Sequence, residues 1–253
     1  MTSFSGGARL WLHLLCVVAL TAAASAIARS DEGAVVLYGM GPDPRDRVNV
    51  DDPPWRAVGK LQAARGGLIM SCTGALIGPS TVLTAAHCFW DDREREFLPA
   101  TLFHFLLDYD RGKSAGTATG VSVKIGPGYD PDDAAKTRGS DWAVLKIDAA
   151  LGTPDRVLPV SEDPPRIGSA VTVGGYSRDF LYVITADSHC RIIGRTTDAN
   201  GRVLLIHDCT AKRGTSGGPV LVQDALGWTI HGVEVGTARD DTRGIASVPT
   251  GLK

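Results

Sequence analysis

Neither sign of charge is in excess in this 253-residue chain: 26 Lys and Arg stand against 28 Asp and Glu, a formal net charge of −2. With no basic stripe and no interleaved aromatics, there is no electrostatic footprint for nucleic acid, and no such partner is expected. Past the first two dozen residues, no run is long and apolar enough to cross a bilayer as a helix, so no stable membrane association is expected. A C-x-x-C spacing is missing too, which argues against a zinc site; neither a metal nor a cofactor is expected. Internal repeats and long helical periods are also absent.

What is present begins with an export pattern. Arg9 precedes an apolar run from Leu10 to Ala22, and the small-residue site Ala24-Ser25-Ala26 follows it. Charge, apolar core and A-x-A in that order predict a cleaved signal over 1–26 and a secreted or periplasmic product. The run falls short of the roughly 18–20 residues of a membrane span. Residues 27–54 are rich in Asp, Gly, Pro and Arg and read as a lead-in or propeptide outside the fold.

From Trp55 onward, short apolar runs alternate with turn residues, and the 30 glycines favour tight turns over long helices. Strands are predicted over 56–62, 68–77, 81–84, 101–107, 120–125 and 142–147. A polar, proline-bearing stretch from Ala149 to Pro165 follows. Further strands are predicted over 170–176, 180–184, 191–193, 202–206, 220–223, 228–235 and 244–248. The pattern is all-β in two halves, 55–150 and 151–253. Of five cysteines, Cys16 falls in the signal. Cys72, Cys88, Cys190 and Cys209 remain, an even number that in an exported chain favours two disulfides with three possible connectivities. Pairing by neighbourhood, Cys72 with Cys88 and Cys190 with Cys209, is the simplest.

Three segments carry chemistry. Cys72-Thr73-Gly74-Ala75-Leu76-Ile77 leads through Leu83-Thr84-Ala85-Ala86 to His87-Cys88; Ser140-Asp141-Trp142 opens an apolar run; Gly214-Thr215-Ser216-Gly217-Gly218-Pro219 brackets a serine with glycines. A serine hydroxyl becomes a useful nucleophile when an imidazole takes its proton and a carboxylate orients that imidazole. These segments resemble the chymotrypsin-like serine peptidases, with T-A-A-H-C, a D-x-A strand opening and G-x-S-G-G-P in that family's chain order.

The resemblance implies two six-stranded antiparallel β-barrels with the active site between them. It implies a secreted endopeptidase acting on protein or peptide, with Ser216 as nucleophile, His87 as general base and Asp141 orienting it. The amides of Gly214 and Ser216 would form the oxyanion hole. The string also fits G-x-S-x-G, the nucleophile elbow of α/β-hydrolases, but that fold places its acid and histidine after the serine. Only residues 217–253 follow Ser216, and His231 is their one histidine.

Thr215 stands where animal trypsins carry the aspartate that pairs with a new amino terminus, so the style is nearer to bacterial members such as the glutamyl endopeptidases. In the family the S1 wall comes from residues about six before the serine and from a later strand, here Thr210, Ala211, Glu234 and Gly236. Thr210 would favour a P1 carboxylate, as in the glutamyl endopeptidases, whereas Glu234 in the pocket would attract Lys or Arg at P1; the alternative for Glu234 is an outward-facing strand residue. A monomer is expected. The alternative is a silent homologue acting as a binding module, although all three triad positions are filled.

Overall fold

The computed structural model describes residues 43–238 and 243–252. The signal expected over 1–26 and the first part of the lead-in lie outside the described residues. Among the described residues fifteen strands dominate, with short 3-10 turns and one four-residue helix, α1 (Ala134–Thr137).

In chain order the first ten strands are β1 (Asp46–Arg47), β2 (Val58–Arg65), β3 (Leu68–Gly78), β4 (Thr81–Thr84), β5 (Trp90–Asp91), β6 (Glu96–Phe97), β7 (Phe103–Leu107), β8 (Gly116–Ile125), β9 (Ala143–Ile147) and β10 (Ala170–Gly175). Next come β11 (Thr185–Thr197), β12 (Val203–His207), β13 (Pro219–Asp224), β14 (Gly227–Thr237) and β15 (Gly244–Ser247). The first barrel closes in the order β2-β3-β4-β9-β8-β7. In the second, β11-β10-β13-β14-β15-β12 closes through antiparallel pairing of β12 with β11. Every strand pair in both barrels is antiparallel.

Period-2 alternation explains the first core: β7 sends Phe103, Phe105 and Leu107 inward, and β9 sends Ala143, Leu145 and Ile147. Trp142, Phe89 and Leu76 complete it without exposed surface. The second barrel is smaller-limbed, built on Val171, Val173, Ile192, Leu205 and Val220 around Cys190 and Cys209. Both neighbourhood disulfides are formed, Cys72–Cys88 and Cys190–Cys209.

Two differences from the sequence-based expectation bear on the site. Residues 180–184, expected as a strand, are not one: Arg178–Phe180 is a 3-10 turn and β11 starts only at Thr185. Ile184 is buried in the core, but Phe180, Leu181 and Tyr182 stay exposed and lie beside cations. Arg45 lies over the Phe180 ring, and Lys60 lies over Tyr182 while its Nζ donates to the Leu181 carbonyl. The end of the lead-in is also part of the fold. Asp46 and Arg47 pair with Ala186 and Thr185 of β11, and the Arg45 side chain is buried.

Candidate active site

His87 sits in the 3-10 turn Ala86–Phe89 that follows β4, directly before Cys88, whose bond to Cys72 of β3 anchors the turn. Asp141 caps the 3-10 turn Arg138–Ser140 at the entrance to β9, and β4 pairs with β9. That pairing brings two residues 54 positions apart into contact. Asp141 Oδ1 accepts the His87 backbone N–H at 2.9 Å, and Oδ2 accepts Nδ1–H at 2.8 Å. The Asp141 side chain is 6% exposed and that of His87 32%. Burial pulls the imidazole pKa down, and the Asp141 carboxylate more than offsets it, so the net shift is upward. With Nδ1 bonded to the carboxylate, the neutral ring keeps its lone pair on Nε2.

Ser216 lies on the loop between β12 and β13, which both barrels hold. Its carbonyl accepts Thr73 N–H from β3 at 2.8 Å, and Thr73 Oγ1 donates to the Gly214 carbonyl at 2.9 Å. Gly217 N–H donates to the Glu234 carbonyl, and Glu234 N–H to the Gly218 carbonyl, both at 2.8 Å. Two glycines make the bend possible. Gly214 has φ +99 and Gly217 φ +81, and a Cβ would collide with the Tyr176 carbonyl at the first and with Thr73 and Thr84 at the second. The amides of Thr215, Gly217 and Gly218 are bonded, whereas those of Gly214 and Ser216 have no acceptor among the described residues. His87, Ser216, Gly214 and the Cys72–Cys88 bridge share one cleft of about 340 Å³. Within it Ser216 and His87 make no direct hydrogen bond.

Among the residues expected at the S1 wall, Glu234 is committed to other partners. Glu234 is 2% exposed, and neither oxygen is free: Oε2 bonds His207 Nε2 at 2.7 Å, and Oε1 accepts Gly236 N–H at 3.2 Å. His207 on β12 is wholly buried. Thr210 is half-buried beside Ala211, its amide held by Oδ2 of the buried Asp187. His207 and Asp187 were not singled out from the sequence; an isolated histidine or aspartate in a strand carries no local signal, and only the barrel closure reveals their partners.

The sulfurs of Cys72 and Cys88 lie close to the His87 ring, but they are bonded to each other and offer no thiolate to a metal. No helix among the described residues is long and apolar enough to cross a membrane.

The family model "Trypsin" matches residues 46–250. A glutamyl endopeptidase from Bacillus licheniformis is 28% identical over 154 residues, which cover 55% of this chain and 42% of that protein; the chain thus spans under half of this relative's length. A Glu endopeptidase solved in complex with MPD superposes with a TM-score of 0.68 at 21% identity, covering 83% of this chain and 94% of its own. The protease Anisep from Arthrobacter nicotinovorans gives a TM-score of 0.61 at 18% identity, covering 81% and 93%. At these identities the two structures show a shared fold.

Proposed function

From the premise that this chain belongs to the trypsin family, we propose that it is an exported serine endopeptidase in which Ser216, His87 and Asp141 carry the reaction. The observation that supports this most is the two-point bond between Asp141 and His87, with Ser216 in the same cleft as His87 and the amides of Ser216 and Gly214 unengaged among the described residues. When a peptide enters, Ser216 Oγ attacks the carbonyl and its proton passes to His87 Nε2. The amides of Gly214 and Ser216 meet the oxyanion as it forms, where preorganised donors contribute most. His87 then gives the proton to the leaving amine, and water repeats the sequence on the acyl-enzyme. Asp141 holds the tautomer and steadies the imidazolium throughout.

Export accords with the two disulfides, which persist in oxidising compartments, and with the charge, apolar run and A-x-A order at the start of the chain. Thr210, Ala211, Glu234 and Gly236 form the S1 wall in this reading. A basic P1 preference is not part of this reading, because both Glu234 oxygens are engaged, by His207 and by the Gly236 amide. A P1-varied peptide library is the test: cleavage without enrichment of Lys or Arg is expected, and a strong Lys or Arg preference would contradict the pairing. Activity itself is checked on an unfolded protein substrate, where Ser216→Ala should stop cleavage; digestion that survives the substitution would point to another nucleophile.

A further inference from the structure

The cleft beside Ser216 has an electrostatic character that the triad does not require. Its second-barrel wall carries Arg178 and Arg213, and the facing wall carries Arg93 with Asp91 and Asp92. Arg178 N–H donates to the Arg213 carbonyl at 2.7 Å, which fixes the two arginines side by side next to Gly214. Both side chains are exposed, and neither makes an ion pair or a side-chain hydrogen bond among the described residues. The contrast with the adjoining Lys212 is direct: its ammonium is 3.1 Å from Asp179 and 3.9 Å from Asp43. On the facing wall, Asp91 is buried, and its Oδ1 accepts the amides of Arg93 and Glu94. Three arginines therefore line the cleft against two carboxylates, of which Asp91 is buried and bonded to amides and Asp92 is exposed.

The direction of the cleft decides what it would hold. Thr210, Ala211, Glu234 and Gly236, the S1 wall, do not line it. A substrate whose acyl part lies along that wall has its leaving-group residues in this cleft, across the Cys72–Cys88 bridge. We propose that Arg178 and Arg213 form a subsite for carboxylate side chains at the first two positions after the scissile bond, selecting peptides that are acidic on the leaving side. The subsite rests on the peptidase reading. Arginine suits the task, since its planar fork matches a carboxylate in two-point geometry.

Internally quenched peptides that differ only in carrying Asp, Ala or Lys at both leaving-side positions test the proposal. Two exposed ion pairs are expected to give an Asp-over-Lys ratio in kcat/KM of about tenfold at low salt, shrinking toward unity near 1 M salt. In the double variant Arg178→Glu/Arg213→Glu the ratio should invert in favour of Lys, while a merely structural defect would lower all three peptides alike. The single variant Arg213→Gln should shrink the ratio without inverting it, which covers a double variant that fails to fold. Equal rates for the three peptides in an active wild-type enzyme, or an unchanged ratio in an active variant, would overturn the subsite alone. Absence of any Ser216-dependent cleavage would overturn the peptidase reading, and the subsite with it.

Discussion

Both oxygens of Asp141 serve one residue, His87, and this arrangement sets the expected pH behaviour. In the proposed reaction His87 is the base and must be neutral to act. Because Asp141 raises the His87 pKa overall, the acid limb of kcat/KM should lie above the ordinary imidazole value of about 6.5. Asp141→Asn removes both the charge and the tautomer control. It should cut turnover by about 10⁴-fold and move the limb to lower pH, measurable as a pH–rate profile on one peptide; an unmoved limb would contradict the assignment. The buried His207–Glu234 pair makes a separate prediction. His207→Ala leaves a carboxylate buried without its partner and should cost about 3–5 kcal/mol in denaturant unfolding, whereas a loss near zero would mean that Glu234 reaches solvent. The candidates His87, Asp141 and Ser216 could be picked from the sequence because each sits in an uninterrupted local phrase, and the structure bonds the first two and puts His87 and Ser216 in one cleft. His207 was not, because its role depends on one partner 27 positions away.

At the level of elements, most strands were legible from alternation, as in Phe103–Leu107, where apolar positions fall every second residue. The segment 180–184 misled for a physical reason. Phe180, Leu181 and Tyr182 look like a strand by composition, but they cover a cationic seam, packing on Arg45 and Lys60. Strand β11 was underestimated at three residues because its polar stretches, such as Asp187-Ser188-His189, hide a thirteen-residue strand whose pairing is interrupted by two register shifts. The β1 arm was read as a tail because Asp, Pro and Arg carry no apolar signal. Its docking is ionic: Arg45 bonds Asp43 at 2.6 Å, Asp179 at 2.5 Å and the buried Ser177 hydroxyl at 3.0 Å. The Arg45 hydrogen bond and charge hold the Asp179 carboxyl well below its usual range. Its contribution is therefore present above the ordinary carboxylate pKa and lost as acid protonates it. Arg45→Ala should cost about 1–3 kcal/mol and open the arm to proteolysis before residue 48, with the same opening in the wild type at low pH. Equal protease resistance of variant and wild type at neutral pH would show that β-pairing alone holds the arm.

Over the whole molecule, two barrels of unequal core meet along contacts that bracket the active cleft. Tyr176 Oη donates to the Tyr109 carbonyl at 2.9 Å, Ser247 Oγ donates to the Asp141 carbonyl at 3.1 Å, and Thr73 of the first barrel binds the serine loop of the second. The two halves were visible in the sequence as two groups of strands around a proline-bearing linker. Their closure was not, because it depends on pairings such as β12 with β11 and β2 with β7 that no local pattern encodes. The seam brings His87 and Asp141 from one barrel to Ser216 and the Gly214 amide from the other, and in the proposed function this assembly activates Ser216. Reaction of the folded protein with a fluorophosphonate, followed by mass spectrometry of the labelled peptide, tests it most directly. A single adduct on Ser216, absent in Ser216→Ala and strongly slowed in His87→Ala, is the predicted result; a folded, disulfide-intact protein that takes up no label at Ser216 would contradict it.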